Sequence, residues 1–371
     1  NRANQESETS RQVSNFLEGL FKASDPWVAR NKELSLRELL DAGAEKIERE
    51  LKSQPGVQAR LLRTIANAYD GLGLGERGQP LRKRAVALTE SVYGTESLEY
   101  ADALMELGGL ENASQAHTIR SRLLQPDDRK LARGLYVLGV TQVLRDLPEG
   151  EGNLTRALEL VDKPDDPDQQ QLHLFILNDL ALGRAKKHDY RNAATYLRKA
   201  QEIRDKIYYA NHPDRLAGLC SLGSVLMLDN KLSEARPYLE AAVQGSEQAQ
   251  PPIVSVIGQS VTSLGELERL QGRFDRARVL LERARSIFES LHWQNGSQMT
   301  ETLKSLGLVA EAQGRLHEAI DDLGKARENY LRETGLSTDD PSPDYARVLR
   351  KAGRIAEAEK VEASPRTPGA K

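Results

Sequence analysis

Apolar residues return along most of this chain every three or four positions, which predicts helices that each bury one face. Small residues punctuate that pattern at constant distances. Gly223 is followed by Ala235 and Ala242, Gly265 by Ala277 and Ala284, and Gly307 by Ala319 and Ala326; Ala181 leads to Ala193 and Ala200, and Ala66 to Gly78 and Ala85. The lead positions 181, 223, 265 and 307 succeed one another by 42 residues, and 66 to 108 and 139 to 181 repeat that step. Between the first two small residues of a set lies a turn: His188-Asp189-Tyr190, Asn230-Lys231-Leu232, Gly272-Arg273-Phe274 and Gly314-Arg315-Leu316. Gly or Asn suits the left-handed backbone that ends a helix, and the apolar residue two places later packs back under the unit.

A constant interval predicts helix pairs stacked in series rather than helices around one core. The first small residue lets the leading helix of a pair, helix A, approach its helix B. The second sits where the two cross most closely, and the third lets helix B meet helix A of the next pair. A side chain larger than methyl at these points would hold the axes apart. Units are expected near 66, 108, 139, 181, 223, 265, 307 and 346, in an array covering residues 61–360. The stretch 108–160 fits least: Glu111–Arg120 lacks a turn, 139 follows 108 by only 31 residues, Pro148–Gly152 is inserted, and Ala157 is one out of phase. Irregular geometry is expected there. The last unit, from Ala346 through Gly353 to Ala358, has a short second helix and reads as a cap.

Ahead of the array, residues 1–60 read as N-terminal helices. Phe16, Leu17, Leu20 and Phe21 form an amphipathic turn pair, and Ser24-Asp25-Pro26 reads as a helix start. Ser35-Leu36-Arg37-Glu38 is a capping box opening a helix to about Leu51, ended by Gln54-Pro55-Gly56. Residues 164–168, 250–252 and 339–343 read as loops between repeats, and 361–371 as a disordered tail.

Residues 263–284 and 305–326 carry, position by position, the pattern of the tetratricopeptide (TPR) repeat, and the chain resembles that family. The usual unit is about 34 residues; the longer step here implies longer helices, as in the kinesin-light-chain-like branch. The fold class expected is therefore all-α, a TPR-type α-solenoid: a right-handed superhelix of antiparallel helix pairs.

Composition agrees. Aromatics are 5% of the 371 residues, and Ala, Leu, Glu, Arg and Gln, which lose little entropy in a helix, dominate. Lys and Arg number 52 against 55 Asp and Glu, so no basic excess exists to neutralise phosphates, and nucleic acid is not an expected partner. The single cysteine, Cys220, allows no internal disulfide. No apolar run reaches the ~20 residues of a membrane span. The chain opens on Asn1 in a polar segment without a signal peptide, and reads as a fragment of something longer.

Catalytic and metal chemistry find little support. Gly73-x-Gly75-x-x-Gly78 spells a phosphate-loop pattern, but it follows a helix and falls on a repeat turn. The six histidines, at 117, 173, 188, 212, 292 and 317, include no pair three or four apart. Asp165, Asp166 and Asp168, like Asp339 and Asp340, lack the closing glutamate of a calcium loop. Cys220 has apolar neighbours and reads as an inert thiol; the Asn112, Asn153 and Asn295 triplets are assigned nothing. The expectation is a chain with no catalytic residues, no cofactor and no metal.

What the TPR resemblance implies is a concave groove lined by A helices. Its positions in this chain are Arg63, Asn67 and Asp70; Tyr136, Val140 and Val143; Phe175, Asn178 and Leu182; Cys220, Ser224 and Met227; Thr262, Glu266 and Arg269; and Lys304, Leu308 and Glu311. The face is charged at both ends and more apolar in the middle, which suits an extended or helical peptide. Arg63 with Asn67 resembles half of a TPR carboxylate clamp, but the remaining clamp residues are missing.

A second resemblance sits at the N-terminus. Phe16-Leu17 with Leu20-Phe21, Ser24-Asp25-Pro26, Arg37-Glu38-Leu39-Leu40-Asp41 and Gln54-Pro55-Gly56-Val57-Gln58-Ala59-Arg60-Leu61-Leu62 are similar to the segment after the membrane helix in bacterial serine/threonine kinases with C-terminal TPR repeats. Gly75 and Gly78 depart from that family, which carries Tyr and Ala there. The resemblance implies a protein-interaction scaffold, the non-catalytic sensor of a single-pass, membrane-anchored kinase. It would follow an upstream membrane segment, on the extracytoplasmic side of a bacterial inner membrane, without inserting itself. The partner is a protein or peptide in the groove, with self-association as a second expectation. The alternative is a free-standing cytoplasmic TPR adaptor, or the TPR region of a transcriptional regulator.

Overall fold

The computed structural model describes residues 35–161, 167–294, 296–332 and 340–364. They form seventeen α-helices and no strand. In chain order these are α1 (Leu36–Glu50), α2 (Pro55–Gly71), α3 (Gly75–Tyr93), α4 (Leu98–Leu107), α5 (Leu110–Leu123), α6 (Leu131–Val143) and α7 (Glu149–Leu160). There follow α8 (Pro167–Lys186), α9 (Tyr190–Ile207), α10 (Pro213–Leu228), α11 (Leu232–Gln248), α12 (Val254–Leu270) and α13 (Phe274–Ser290), then α14 (Ser297–Ala312), α15 (Leu316–Arg332), α16 (Ser342–Lys351) and α17 (Ile355–Ala363). The expectations for residues 1–34 and the tail beyond Ser364 lie outside the described residues. The chain divides into two compact units, Asn1–Leu172 and His173–Lys371.

The ends of the helices follow from local chemistry. Ser35 and Glu38 close the capping box at α1. Ser97 caps α4, Asp189 caps α9, and His212 accepts from the Asp214 amide at α10. Most A helices end in one device. The amide of Leu74, Leu147, Asp189, Lys231, Arg273, Arg315 or Arg354 bonds the carbonyl five residues back, and the residue before it lies at positive φ. That left-handed residue is Gly73, Asp146, His188, Asn230, Gly272, Gly314 or Gly353 in turn. The four turns anticipated from sequence all have this geometry.

The unit anchored near 108 needs correction. Gly108 has φ 80 and caps α4, so it is the turn and not the helix anchor. Its helix pair is α4 and α5, with Ala101 at the crossing and buried Ala113 as its counterpart. Measured from Ala101, that unit follows 66 by 35 residues and precedes 139 by 38, so the 42-residue coincidence between 66 and 108 misled. Arg120 then stands where other units carry the third small residue. The unit at 139 carries no insertion at Pro148–Gly152: its turn is one residue shorter than in the other units, and Gly150 and Ala157 face Gly139 and the core.

Close packing at the small residues is direct. A Cβ on Gly223, Gly265 or Gly307 would stand 2.6–2.7 Å from Cγ of Leu239, Leu281 or Leu323, and 3.2–3.4 Å from the carbonyl of Ala235, Ala277 or Ala319. In the first unit α1 packs on α2, and α2 through α7 pack each on the next. In the second, α9 through α17 do the same, and among A helices α10 also touches α12, and α12 touches α14. That contact sets α10, α12 and α14 on the inner side of the stack. Buried side chains gather in several small cores along the second unit, around Leu222 and Leu239, Phe288 and Leu303, Leu281 and Leu306, and Leu323 and Leu349.

Candidate protein-interaction face

In the first unit the anticipated groove residues are tied to neighbouring helices. Arg63 of α2 pairs with Glu106 of α4, with Nε donating at 2.6 Å. Asn67 and Asp70 both accept from Arg82 of α3, whose guanidinium is buried. Tyr136, Val140 and Val143 lie along α6, each half-buried.

In the second unit the A face changes character along the stack. On α8, Phe175 and Leu182 are 45% and 44% exposed, and Asn178 lies half-buried between them on the same face. Asn178 accepts a hydrogen bond at 3.0 Å from Arg204 of α9. On α10, Cys220 and Met227 are buried in the core, and burial pushes the thiol pKa up. Ser224 shares a 2.8 Å hydrogen bond with Ser263 of α12. Thr262 is buried and bonds Thr302 of α14 at 2.9 Å. Thr262 and Met227 therefore belong to the wall between units rather than to its surface.

Beyond them the face is a ladder of charges. Glu266 accepts from Ser305 at 2.9 Å and from Arg269 at 2.6 and 2.8 Å. The hydrogen bond to Glu266 raises the Arg269 pKa above its ordinary value. Lys304 lies 3.5 Å from Asp344. Glu311 accepts from Arg347 at 2.5 and 2.6 Å and lies 2.6 Å from Lys351. Leu308 sits half-buried among these groups. Away from this face, Glu268 is buried between Arg236 and Arg273; burial raises its pKa, but the two arginines outweigh that and leave it lowered.

The sequence reading missed the buried arginines. Arg120 carried a signal, a charged residue at a position that is otherwise small. Arg82 carried one too, standing where Leu197, Leu239, Leu281 and Leu323 recur in other units, whereas Arg204 carried none, because no residue type recurs at its position. Gly73, Gly75 and Gly78 serve the fold: Gly73 makes the turn, and a Cβ on Gly78 would meet the Ala66 carbonyl at 2.9 Å. Among the described residues, no group of three or more His, Cys, Asp or Glu side chains could hold a metal ion. Among them also, no helix is long and apolar enough to cross a membrane.

Comparison with known proteins agrees with this geometry. A tetratricopeptide-repeat family profile matches residues 259–332, from α12 to α15. The fold is shared with the apo quorum sensor NprR of B. thuringiensis, at TM-score 0.59 and 13% identity over 87% of this chain and 99% of that one. It is shared with a Rap protein complexed with Competence and Sporulation Factor, at TM-score 0.53 and 13% identity over 95% and 96%. A signal transduction ATPase with a tetratricopeptide repeat sensor, from Pyrococcus horikoshii, matches at TM-score 0.56 and 14% identity over 91% of this chain and 53% of that one. Comparison with curated protein sequences gives no significant match. The fold is an all-α, TPR-type solenoid, a class of protein-interaction scaffold.

Proposed function

We propose that this chain binds a partner protein through an extended or helical segment laid on the A face of α8. We further propose that it is the non-catalytic regulatory region of a membrane-anchored serine/threonine kinase. The first part is carried by the exposed Phe175 and Leu182, one turn to either side of Asn178 on one face of α8. Apolar side chains so placed offer a partner area to bury, with polar groups beside them to fix orientation. Proteins of the same fold described as a quorum sensor, a tetratricopeptide repeat sensor and a Rap protein complexed with Competence and Sporulation Factor support a sensing role.

The kinase assignment is supported by the N-terminal resemblance, of which Arg37–Asp41 falls on α1 and Pro55–Leu62 on α2. A partner docked on the face would then act by shifting the association of kinase chains.

Display of short random peptides tests the first part. Peptides selected on the wild-type chain should bind the Phe175→Ala, Leu182→Ala double variant about tenfold or more weakly, as for removal of buried anchors. Undiminished binding would sink the assignment of the face. The coding sequence upstream of Asn1 tests the second part: a kinase domain and one membrane helix are expected. A helix-turn-helix domain there would overturn it in favour of a transcriptional regulator.

A further inference from the structure

We propose that Arg204 and Asn178 form a carboxylate-reading point beneath the A face of the second unit, taking an internal aspartate or glutamate side chain of the docked segment. The inference rests on the proposed use of that face. It comes from a comparison of three arginines that are buried among the described residues, Arg82, Arg120 and Arg204. Each reaches from a B helix to the A helix of its own pair. Arg82 ends on Asp70 and Asn67. Arg120 ends on Asp102 and on the Lys130 carbonyl.

Arg204 differs. Its Nη2 donates to the neutral amide of Asn178, and its Nη1 has no hydrogen-bond partner; its Nε has none either, as is true of Arg82 and Arg120 as well. Among the described residues no carboxylate stands at hydrogen-bond distance from it, and only 7% of the residue is exposed. A guanidinium taken from water without an anion loses its hydration for little return. Burial holds its pKa below the ordinary value, although Asp214, Tyr208 and Asp205 oppose that by charge. Asp205 is itself engaged by Gln201 and Arg215.

Room for the guanidinium is made by Gly218 of α10, where a Cβ would stand 2.8 Å from Nη1. Gln201 Oε1 faces the same glycine, also without a hydrogen-bond partner. The site therefore holds unused donors and a positive charge, behind an amide that lies on the proposed docking face. An arginine with free N–H groups is best matched by a carboxylate. An internal acid is favoured over a chain end by the positions of Phe175 and Leu182. They flank Asn178 on both sides, so a segment touching both must run past it.

The test uses displayed peptides of apolar background with a fixed central Asp or Glu, against the same peptides with Asn or Gln. Each set is presented both as the free acid and as the C-terminal amide. The wild-type chain should prefer the acidic set by about tenfold or more, whatever the C-terminus. Asn178→Asp would supply the internal carboxylate that Arg82 has in Asp70 and Arg120 has in Asp102. That variant should melt at a higher temperature than wild type and lose the preference. Arg204→Met should lose the preference and still bind the Asn and Gln set.

Equal binding of the two sets by wild type overturns this inference and leaves the docking face standing. So does a preference that survives Asn178→Asp, or one that follows the free C-terminus. Absence of binding by every set removes both readings. Should Arg204→Met fail to fold, Asn178→Asp alone decides.

Discussion

Replacing Gly150 by alanine adds one methyl group to α7 at its crossing with α6. The new Cβ would stand 2.7 Å from the Val143 amide nitrogen, and 2.9 Å from both the Gly139 carbonyl oxygen and Val143 Cγ2. Two of those atoms are backbone, so no rotamer change relieves the contact and the helix axes must part. Overpacking of this kind costs about 1–3 kcal/mol. Alanine returns up to about 1 kcal/mol of helix propensity, less in a first turn. The net expectation is a loss of about 1–2 kcal/mol. Gly152, two residues on in the same helix, has nothing within 4 Å of its Cβ position. There only propensity changes, and Gly152→Ala should gain about 0.5–1 kcal/mol. Urea unfolding followed by circular dichroism gives both shifts at constant m. Because a repeat array opens locally, hydrogen exchange in α6 and α7 should locate the damage. Equal stability of Gly150→Ala and wild type, or shifts of the same sign in both variants, would refute the close-crossing argument.

Three further outcomes follow from particular residues. Burial, opposed by Arg285, pushes the Asp322 pKa up to about 6. The folded chain therefore holds that proton where the unfolded chain has released it. The stability this contributes is complete below about pH 4 and lost as pH rises through 6, so Asp322→Asn should flatten the decline over that window and stabilise at neutral pH by on the order of 2 kcal/mol. An unchanged pH profile of unfolding would remove the assignment. Glu311, whose side chain is 6% exposed, ties α14 to Arg347 and Lys351 of α16; Glu311→Gln should speed hydrogen exchange in α16 and α17 by about tenfold and leave α10 unaffected, and uniform acceleration would count against it. His188 holds φ 58 at the α8–α9 turn, so His188→Gly should raise stability by about 0.5–1 kcal/mol despite losing the exposed 2.8 Å bond to Tyr190; a lower melting temperature would contradict this.

The parts of this fold legible in the sequence are those set by local chemistry. Helix ends at His188, Asn230, Gly272 and Gly314 could be read because a left-handed residue must follow each A helix. Small residues such as Gly265 and Ala277 could be read because their spacing is fixed by one helix pair. The unit at Ala101 was misplaced because Gly108-Gly109 supplies the glycine that a helix crossing also demands, so two different needs wrote the same letter. The ladder on the A face was not legible at all. Ser224 with Ser263, Glu266 with Ser305, and Arg63 with Glu106 join positions 39, 39 and 43 residues apart. Which residue meets which depends on the offset between consecutive A helices, a tertiary quantity that no single repeat encodes.

That ladder bears on where a partner can be held. From α10 onward the A helices are bonded in sequence: Ser224 to Ser263, Thr262 to Thr302, Glu266 to Ser305, and Glu311 to Arg347. A segment docking there would have to replace each bond it displaced, and an exchange of hydrogen bonds yields little net affinity. On α8 the outward groups are Phe175 and Leu182, whose burial gains about 25 cal/mol for each Å² of apolar surface covered. On the proposed reading, α8 grips and the ladder holds the spacing of the helices that present it. The two roles separate experimentally. Leu182→Ala should weaken peptide binding at a smaller cost in stability than a core leucine would show, since Leu182 is already 44% exposed. Thr262→Val should lower stability by about 1 kcal/mol, from the lost bond to Thr302, with affinity unchanged. A Thr262→Val variant that loses binding at full stability would show that the partner reaches the ladder and that this division is wrong.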